Sequence, residues 1–520
     1  MTLAPSTEER IARWWLALAA LSWIVSGALY LTLPPSPDQF ELDYMGWRML
    51  EGDVPYRDFI DMNWPGVMWM HALSTALFGN QLWSWRALDF IAVALSAFFL
   101  QDILKRTASS TAAVLSLALY PLFYTSLGQW FSGQPDMTAG QLLLVALWFH
   151  IRAYETQVWR WQIGMGIFLA AAMLSKPTVG VLGPLLMVQA LCIGLPPRRV
   201  VLHTAVAAVA AIGGLFLALL ALLAQGATLR EVTEAVYTYN VWTQFLEAAT
   251  VKELTRSWLS VHAVSWHYLS TLALVGAGWL LWRSSRQVAA TALLILWLSG
   301  VLSFLVQHKG FGYHLAVCFI PIIGLVAAAL GLCLDAARAR GLWSWTTALS
   351  VVLMLIVVGG GVKKLQANYS RLPAALLQAD YAVHLAGFQE GDGLTVAQAV
   401  TLAKQIERTV PAGETVLVLG TASSMNFLSR RAQPTRFFYA PVLVNARPPL
   451  PMAARWIDLF ESDLKRARPR WCLISTSFGK SWLDGESHGA QVLRDFLAAN
   501  YRPIGFIGSE RGLEIYERLR

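Results

Sequence analysis

The sequence predicts an α-helical polytopic membrane protein with about eleven transmembrane helices and a C-terminal α/β extracytoplasmic domain. Three observations predict it. Of 520 residues, 56% are hydrophobic and only 14% charged, more apolar surface than a soluble core can hide, and mean hydropathy is +0.49. Apolar runs of spanning length recur through the first two thirds of the chain. Near Asp392 the composition turns ordinary, and short strand-like runs begin to alternate with helical patterns.

Judged against roughly 20 residues per span, the apolar runs fall near 14–33, 83–102, 108–127, 136–152, 161–176, 178–195, 200–223, 264–282, 288–306, 313–333 and 342–361. The segment 11–33 is too long for a signal-peptide core and lacks a small-residue cleavage pattern, so it is read as the first span. Basic residues at Arg10 and Arg13, Lys105 and Arg106, Arg152 and Arg160, Arg198 and Arg199, Arg283 and Arg286, and Arg338 and Arg340 fall at alternate loops. The positive-inside rule places those loops in the cytoplasm. Segments 34–82, 128–135, 224–263, 307–312 and everything after 362 then lie outside it. The net charge of +8 is carried by ones and twos of Lys and Arg beside apolar runs; these read as orientation signals, not as a nucleic-acid patch. Four cysteines, Cys192, Cys318, Cys333 and Cys472, have neither a close pair nor ligand spacing, so no disulfide framework or zinc site is implied.

The domains expected are a membrane bundle over 1–361, with interfacial helices in its first outer loop at 34–82, a linker over 362–391, and an α/β domain over 392–520. In the last, strand-like runs at 414–420, 434–440, 471–476 and 503–508 alternate with helical patterns at 395–409, 451–466 and 487–499. The loop from Gly420 through Ser424 follows a strand and precedes a helix-like stretch. It suggests a phosphate cradle but lacks the G-x-G-x-x-G spacing, which favours a plain strand-to-helix turn.

The cytoplasmic loops are short and the outer ones long and rich in aromatic and polar residues, so chemistry is expected on the outer face. The stretch from Pro37 to Gly66 is too polar to span and too aromatic for an ordinary loop, which fits an interfacial helix with Phe40, Met45, Met49 and Leu50 on its membrane side. Pro65 opens a second such helix running to Gly79. Asp43 falls in the first helix, where a carboxylate near the membrane suits a general base or a cation ligand. It has company in Asp38, Glu41, Asp53, Asp58 and Asp61, and on composition alone it is equally one of several solvated acids.

Asp43-Tyr44 just after the first span, then Gly52-Asp53-Val54-Pro55-Tyr56-Arg57-Asp58 and Trp64-Pro65-Gly66 before the next apolar helix, resemble membrane glycosyltransferases of the GT-C class. The likeness is to bacterial relatives of protein O-mannosyltransferases and lipid A aminoarabinose transferases. It extends through Gln134-Pro135-Asp136, Leu174-Ser175-Lys176-Pro177-Thr178, the run from Gln307 to His314, and Val416 to Gly420 followed by Pro434-Thr435-Arg436. The resemblance implies inverting transfer of a sugar from a polyprenyl-phosphate donor to an extracytoplasmic acceptor, whether lipid, glycan or protein. It puts Asp43 at the family's first-loop carboxylate and Asp136 at a second-loop acid that assists it. These two would also be the ligands of a divalent cation, Mg or Mn, if one is used. The location implied is the bacterial inner membrane, with the C-terminal domain periplasmic. The sequence departs from the aminoarabinose transferases at Tyr44, where a second acid is usual, and at Asn63-Trp64, where a basic residue is usual.

A lipid-phosphate leaving group needs cations at headgroup depth. Lys309, with His314 and Tyr313 beside it, is the first candidate, and Arg256 in the long fourth outer loop the second. A lysine at a helix end also serves as a snorkelling anchor, and Lys176 beside Pro177 has two equal readings, a headgroup contact facing the cavity or such an anchor. Tyr44, Tyr56 and Trp64 are the candidates for contacts to the substrate. Trp47, Trp69 and Trp130 have the same capacity to stack, but among 23 tryptophans most must be interface anchors. The donor is held in the membrane because nucleotide sugars are absent outside and the cytoplasmic loops are too short for a nucleotide domain. A lipid or glycan transporter or flippase would place more charge in mid-span and show paired halves. A non-enzymatic assembly protein would leave eleven spans as a mere anchor.

Overall fold

A computed structural model describes residues 7–242, 248–283, 287–339, 345–444, 450–476, 483–508 and 512–519. Arg286 and Arg340, used above for orientation, and 342–344 at the start of the last apolar run lie outside the described residues. The chain is mostly helical. Its first helices are α1 (Thr7–Tyr30), α2 (Pro37–Leu50), α3 (Pro65–Phe78), α4 (Ser84–Thr107), α5 (Ser110–Ser126), α6 (Pro135–Thr156), α7 (Trp161–Ser175), α8 (Leu182–Cys192) and α9 (Pro197–Gln225). His267–Arg283, Gln287–Gln307, Phe319–Ala339 and Trp345–Tyr369 follow, so every apolar run read from the sequence is built on a helix, with non-helical ends such as 31–33 and 193–195. Three segments are long and apolar enough to cross a bilayer by themselves: Ser84–Thr107, Pro197–Gln225 and Gly312–Ala339.

The chain divides into two compact units. The first comprises Met1–Leu33, Leu88–Leu217 and Ala248–Asn368. Its helices approach through small residues: a Cβ at Gly331 would lie 2.5 Å from the backbone nitrogen of Ala112. Asp89, buried in α4, is satisfied by the hydroxyls of Tyr30 and Tyr124, the latter donating at 2.7 Å to Oδ2. An acid inside an apolar bundle persists only with such donors.

The second unit comprises Pro34–Ala87, Ala218–Glu247 and Tyr369–Arg520, so the first outer loop folds with the C-terminal segment. A four-stranded sheet of order β1-β2-β4-β3 forms from β1 (Val416–Leu419), β2 (Trp471–Ser475), β3 (Tyr501–Gly508) and β4 (Gly512–Arg518). β1 runs parallel to β2 with Val416 opposite Trp471, while β4 pairs antiparallel with β2 and β3. The amphipathic helix Val396–Thr409 packs Ala399, Leu402 and Ile406 onto Val416, Val418 and Leu473. Segment 434–440, read as a strand, is not one, and β4 takes its place in the sheet. Pro434 has no N–H to donate to a ladder, and the Arg436 carbonyl accepts from the Ile60 N–H at 2.8 Å, tying the segment to the first loop. The Arg436 guanidinium is held at 2.9 Å by Asp463.

The loop after β1 is a turn whose amides are already occupied. Asp392 Oδ2 accepts from the N–H groups of Thr421 at 2.8 Å and Ala422 at 3.1 Å, so a carboxylate of the chain sits where a phosphate would. Two residues before it, buried Glu390 has its carboxyl pushed up to about 8, first by burial.

α2 starts at a capping box in which Ser36 Oγ accepts from the Gln39 N–H at 3.3 Å and Gln39 Oε1 from the Ser36 N–H at 3.1 Å. Pro37 occupies its first position. α3 starts at Pro65 and ends on Gly79, whose φ of 74° suits glycine. The two helices touch backbone to backbone at Gly46, where a Cβ would lie 2.5 Å from both the His71 carbonyl carbon and the Ala72 nitrogen. The side of α2 expected to face lipid is largely internal: Phe40 and Met45 are fully buried and only Leu50 is half-exposed. α3 keeps Leu73 and Leu77 exposed.

Two outcomes are expected from this packing. Gly46→Ala forces α2 from α3 and lowers stability by about 1–3 kcal/mol, read as a lower Tm of the full-length protein in detergent. Glu390 binds its proton more tightly folded than unfolded, so it contributes stability below an unfolded pKa of about 4.5 that is lost as pH rises toward about 8. Glu390→Gln should therefore raise Tm relative to the parent at pH 8 and lose that advantage near pH 4.5.

Candidate active site

Asp43 lies on the side of α2 that meets α3, three residues before Gly46, and is 2% exposed. Its Oδ1 is 2.6 Å from Nδ1 of His71, itself 1% exposed. The His71 ring stacks on Trp85 with centroids 3.7 Å apart and planes 19° from parallel. Asp43 Oδ2 and His71 Nε2 are buried and meet no hydrogen-bonding partner among the described residues. The other acids of this loop are engaged. Asp53 pairs with Arg48 at 2.7 Å and Asp58 with Arg57 at 2.7 Å. Glu41 is buried against Asp61, and burial first, then the Asp61 charge and a hydrogen bond to it, holds its carboxyl well above the usual carboxylate range.

The sequence candidates for substrate contact fall differently. The Tyr44 hydroxyl accepts from the Gln433 N–H at 3.0 Å while its ring stacks on Phe438 at 4.9 Å, and burial pushes its phenol up. Tyr56 is buried with φ of 69° and donates to the Asn63 carbonyl at 2.9 Å. Trp64 caps α3 without a side-chain hydrogen bond and is partly exposed.

Asp136 belongs to the other compact unit. Pro135 opens α6, so Asp136 sits in the first turn, where free N–H groups and the helix dipole favour a carboxylate. It is buried, with Lys176 Nζ 3.0 Å from Oδ2 and Gln307 Nε2 donating to Oδ1 at 3.3 Å. Lys176 reaches it because Pro177 bars the helical conformation from the residue before it: Lys176 is extended at φ −151°, ending α7, and the chain continues as a 3-10 turn over Pro177–Val181. Thr178 and Ser303 share a 2.7 Å hydroxyl contact beside the break.

The segment carrying Lys309 is held in place by neighbours of Arg256. The Ala249 N–H donates to the His308 carbonyl at 2.8 Å, with His308 at φ 53°, and Ser257 Oγ donates to the Gly310 carbonyl. Arg256 itself is exposed on helix Val251–Leu259. Tyr313 stacks on Phe311 at 5.7 Å and meets His314 edge-on at 4.7 Å. His314 itself is buried. The structure thus gathers Asp136, Lys176 and Gln307 in one unit, and Asp43 with His71 in the other.

His71 and Trp85 carried no sequence signal beyond a lone histidine and one of many tryptophans. Gln307 was visible only as part of a motif, and Lys176 only as an anchor or headgroup contact. Of the two acids expected to hold a divalent cation, Asp43 faces a histidine nitrogen and Asp136 an ammonium. Among the described residues no group of three or more His, Cys, Asp or Glu side chains is placed to hold a metal.

The fold defines a class. The chain has the GT-C fold of membrane glycosyltransferases, superposing on ArnT from Cupriavidus metallidurans bound to undecaprenyl phosphate with a TM-score of 0.60, 15% identity, and 98% of each chain covered. It superposes on the apo oligosaccharyltransferase of Archaeoglobus fulgidus at 0.56 and 11% identity, over 98% of this chain and 74% of that one. More particularly, residues 63–224 match the family model described as dolichyl-phosphate-mannose-protein mannosyltransferase, PMT_2. The GT-C resemblance read from the sequence is thereby shown. A comparison with curated proteins finds no match.

Lys176→Met is expected to leave the buried Asp136 carboxylate without its cation and to destabilise the protein by about 3 kcal/mol. Adding Asp136→Asn should recover most of the loss, as measured by thermal unfolding of both variants in detergent. Equal Tm values for the single and double variants would mean that the pair does not bear on stability.

Proposed function

We propose that the protein is an inverting glycosyltransferase that moves a sugar from a polyprenyl-phosphate donor to a hydroxyl-bearing acceptor outside the cytoplasm. The observation that carries this reading is the fold match over the whole length of an enzyme whose structure holds undecaprenyl phosphate. Asp43 takes the proton of the acceptor hydroxyl. The freed oxygen attacks the anomeric carbon, the bond from that carbon to the phosphate oxygen breaks, and the carrier phosphate leaves with the electron pair, inverting the centre. The phosphate is met by cations and hydrogen-bond donors. Lys176 and His314 are the first choice, because Lys176 is already held where an anion, Asp136, meets it; Lys309, Tyr313 and Arg256 are next. Gln307 and Asp136 keep Lys176 in place until the donor arrives. Trp64 is partly exposed and free to stack on the sugar, while Tyr44 and Tyr56 support the loop from within. No step is routed through a cation.

The alternating basic loops support a bacterial inner-membrane protein with 1–361 as the bundle, 362–391 as a connection and the domain 392–520 on the periplasmic side. The acceptor's nucleophile is a hydroxyl, on a lipid, glycan or protein. The transporter reading has less support, since among the described residues of the first compact unit the buried acids Asp89 and Asp136 are each held by partners within that unit.

Asp43→Asn removes the base and is expected to lower kcat about 100-fold or more while the variant keeps its Tm. The assay is transfer in nanodiscs from a panel of undecaprenyl-phosphate monosaccharides labelled in the sugar, with a cell-envelope fraction as acceptor. Near-normal turnover by the folded variant would remove Asp43 from the mechanism.

A further inference from the structure

We propose that His71 is the positioning residue of Asp43: its Nδ1–H fixes one carboxylate oxygen so that the other is presented to the acceptor hydroxyl. The inference rests on the reading of Asp43 as the base.

Four observations carry it. The contact is short, 2.6 Å, and both side chains are almost wholly buried, so water does not compete for it. An ionised carboxylate can only accept, so the ring nitrogen facing Oδ1 carries the hydrogen, which fixes the tautomer. The ring cannot turn away: it lies flat on Trp85 at 3.7 Å, and its own backbone is pressed against Gly46 of the helix that carries Asp43. Finally, every other basic side chain in 34–87 is engaged elsewhere. Arg48 holds Asp53, Arg57 holds Asp58, and Arg86 Nη2 donates to the Pro34 carbonyl at 2.8 Å.

What this leaves is a carboxylate with one oxygen held and one, Oδ2, buried without a hydrogen-bonding partner among the described residues. A buried polar atom left unsatisfied costs free energy, and such atoms concentrate where a ligand completes them. The acceptor hydroxyl is the donor that completes this one. His71 keeps its hydrogen throughout; the proton from the acceptor goes to Asp43 Oδ2 alone.

The test uses the full-length protein in nanodiscs, the transfer assay above, and binding of undecaprenyl phosphate as a separate readout. His71→Leu should lower kcat by about tenfold to a hundredfold, the size expected from a misplaced reacting group, with the donor KM and undecaprenyl phosphate affinity within about twofold of the parent. His71→Asn places an amide N–H where Nδ1–H stood and should restore kcat to within about threefold. His71→Gln, whose amide reaches the Nε2 position instead, should behave like leucine. A purely structural histidine would show Asn and Gln alike, with kcat following Tm. That result, or full kcat in a folded His71→Leu, overturns the inference. If Asp43→Asn is inactive and His71→Leu is not, only the role of His71 falls. If the parent transfers no sugar from any donor, the base assignment falls and this inference with it. Should His71→Leu fail to fold, the contrast between Asn and Gln decides alone.

Discussion

The constraint on which the candidate site depends is the contact of α2 with α3 at Gly46. Only a residue without a side chain lets the two backbones meet, and that meeting sets the Asp43 carboxylate against the His71 ring. The capping box at Ser36 and the prolines at 37 and 65 fix where each helix begins, and therefore which residues face each other across the contact. From this packing follows the electrostatic contrast within the loop. Asp53 and Asp58 pair with arginines near solvent, Glu41 and Asp61 share a buried site where Glu41 resists ionisation, and Asp43 alone is matched to a histidine.

In the bundle unit a proline does what the glycine does in the loop unit. Pro177 forces Lys176 out of the helix, and the released side chain finds Asp136 in the first turn of α6. The pair is asymmetric: the acid is buried and the lysine partly exposed. Gln307 and His314 come from the stretch that joins two apolar helices and ends in a short 3-10 segment, Gly312–Cys318. Irregular backbone of this kind is tolerated in a bundle where it lines a working surface.

Much of this was legible in the chain before any coordinates. Among the described residues the apolar runs are built on helices, because hydropathy and length leave an apolar segment in a bilayer few other choices. The prolines at 37, 65, 135 and 177 each begin a helix or turn. The α/β character of the C-terminal domain was visible in its alternating patterns, but 434–440 was misread. Its apolar Phe437 and Phe438 face the domain core from a loop whose backbone pairs with Ile60, a partner 376 positions away from Arg436 that no local pattern announces. Phe40 and Met45 were assigned to a lipid-facing side for the same reason: an amphipathic stripe does not say whether protein or lipid covers it. The first-loop acids could not be ranked by composition, because what separates Asp43 from its neighbours is the partner each one finds in space. His71, one histidine on an apolar helix, was invisible until its ring was seen between Trp85 and Asp43.

In the proposed reaction the polyprenyl phosphate is the sole carrier of the sugar and the anomeric carbon the sole reacting centre. The measurement that tests this most directly is a single-turnover reaction of purified protein in nanodiscs, with a sugar-labelled undecaprenyl-phosphate donor as the only sugar source. The account predicts one free undecaprenyl phosphate per sugar transferred and, by NMR of the product, an anomeric configuration opposite to that of the donor. Retained configuration, or transfer that requires an added nucleotide sugar, would contradict it.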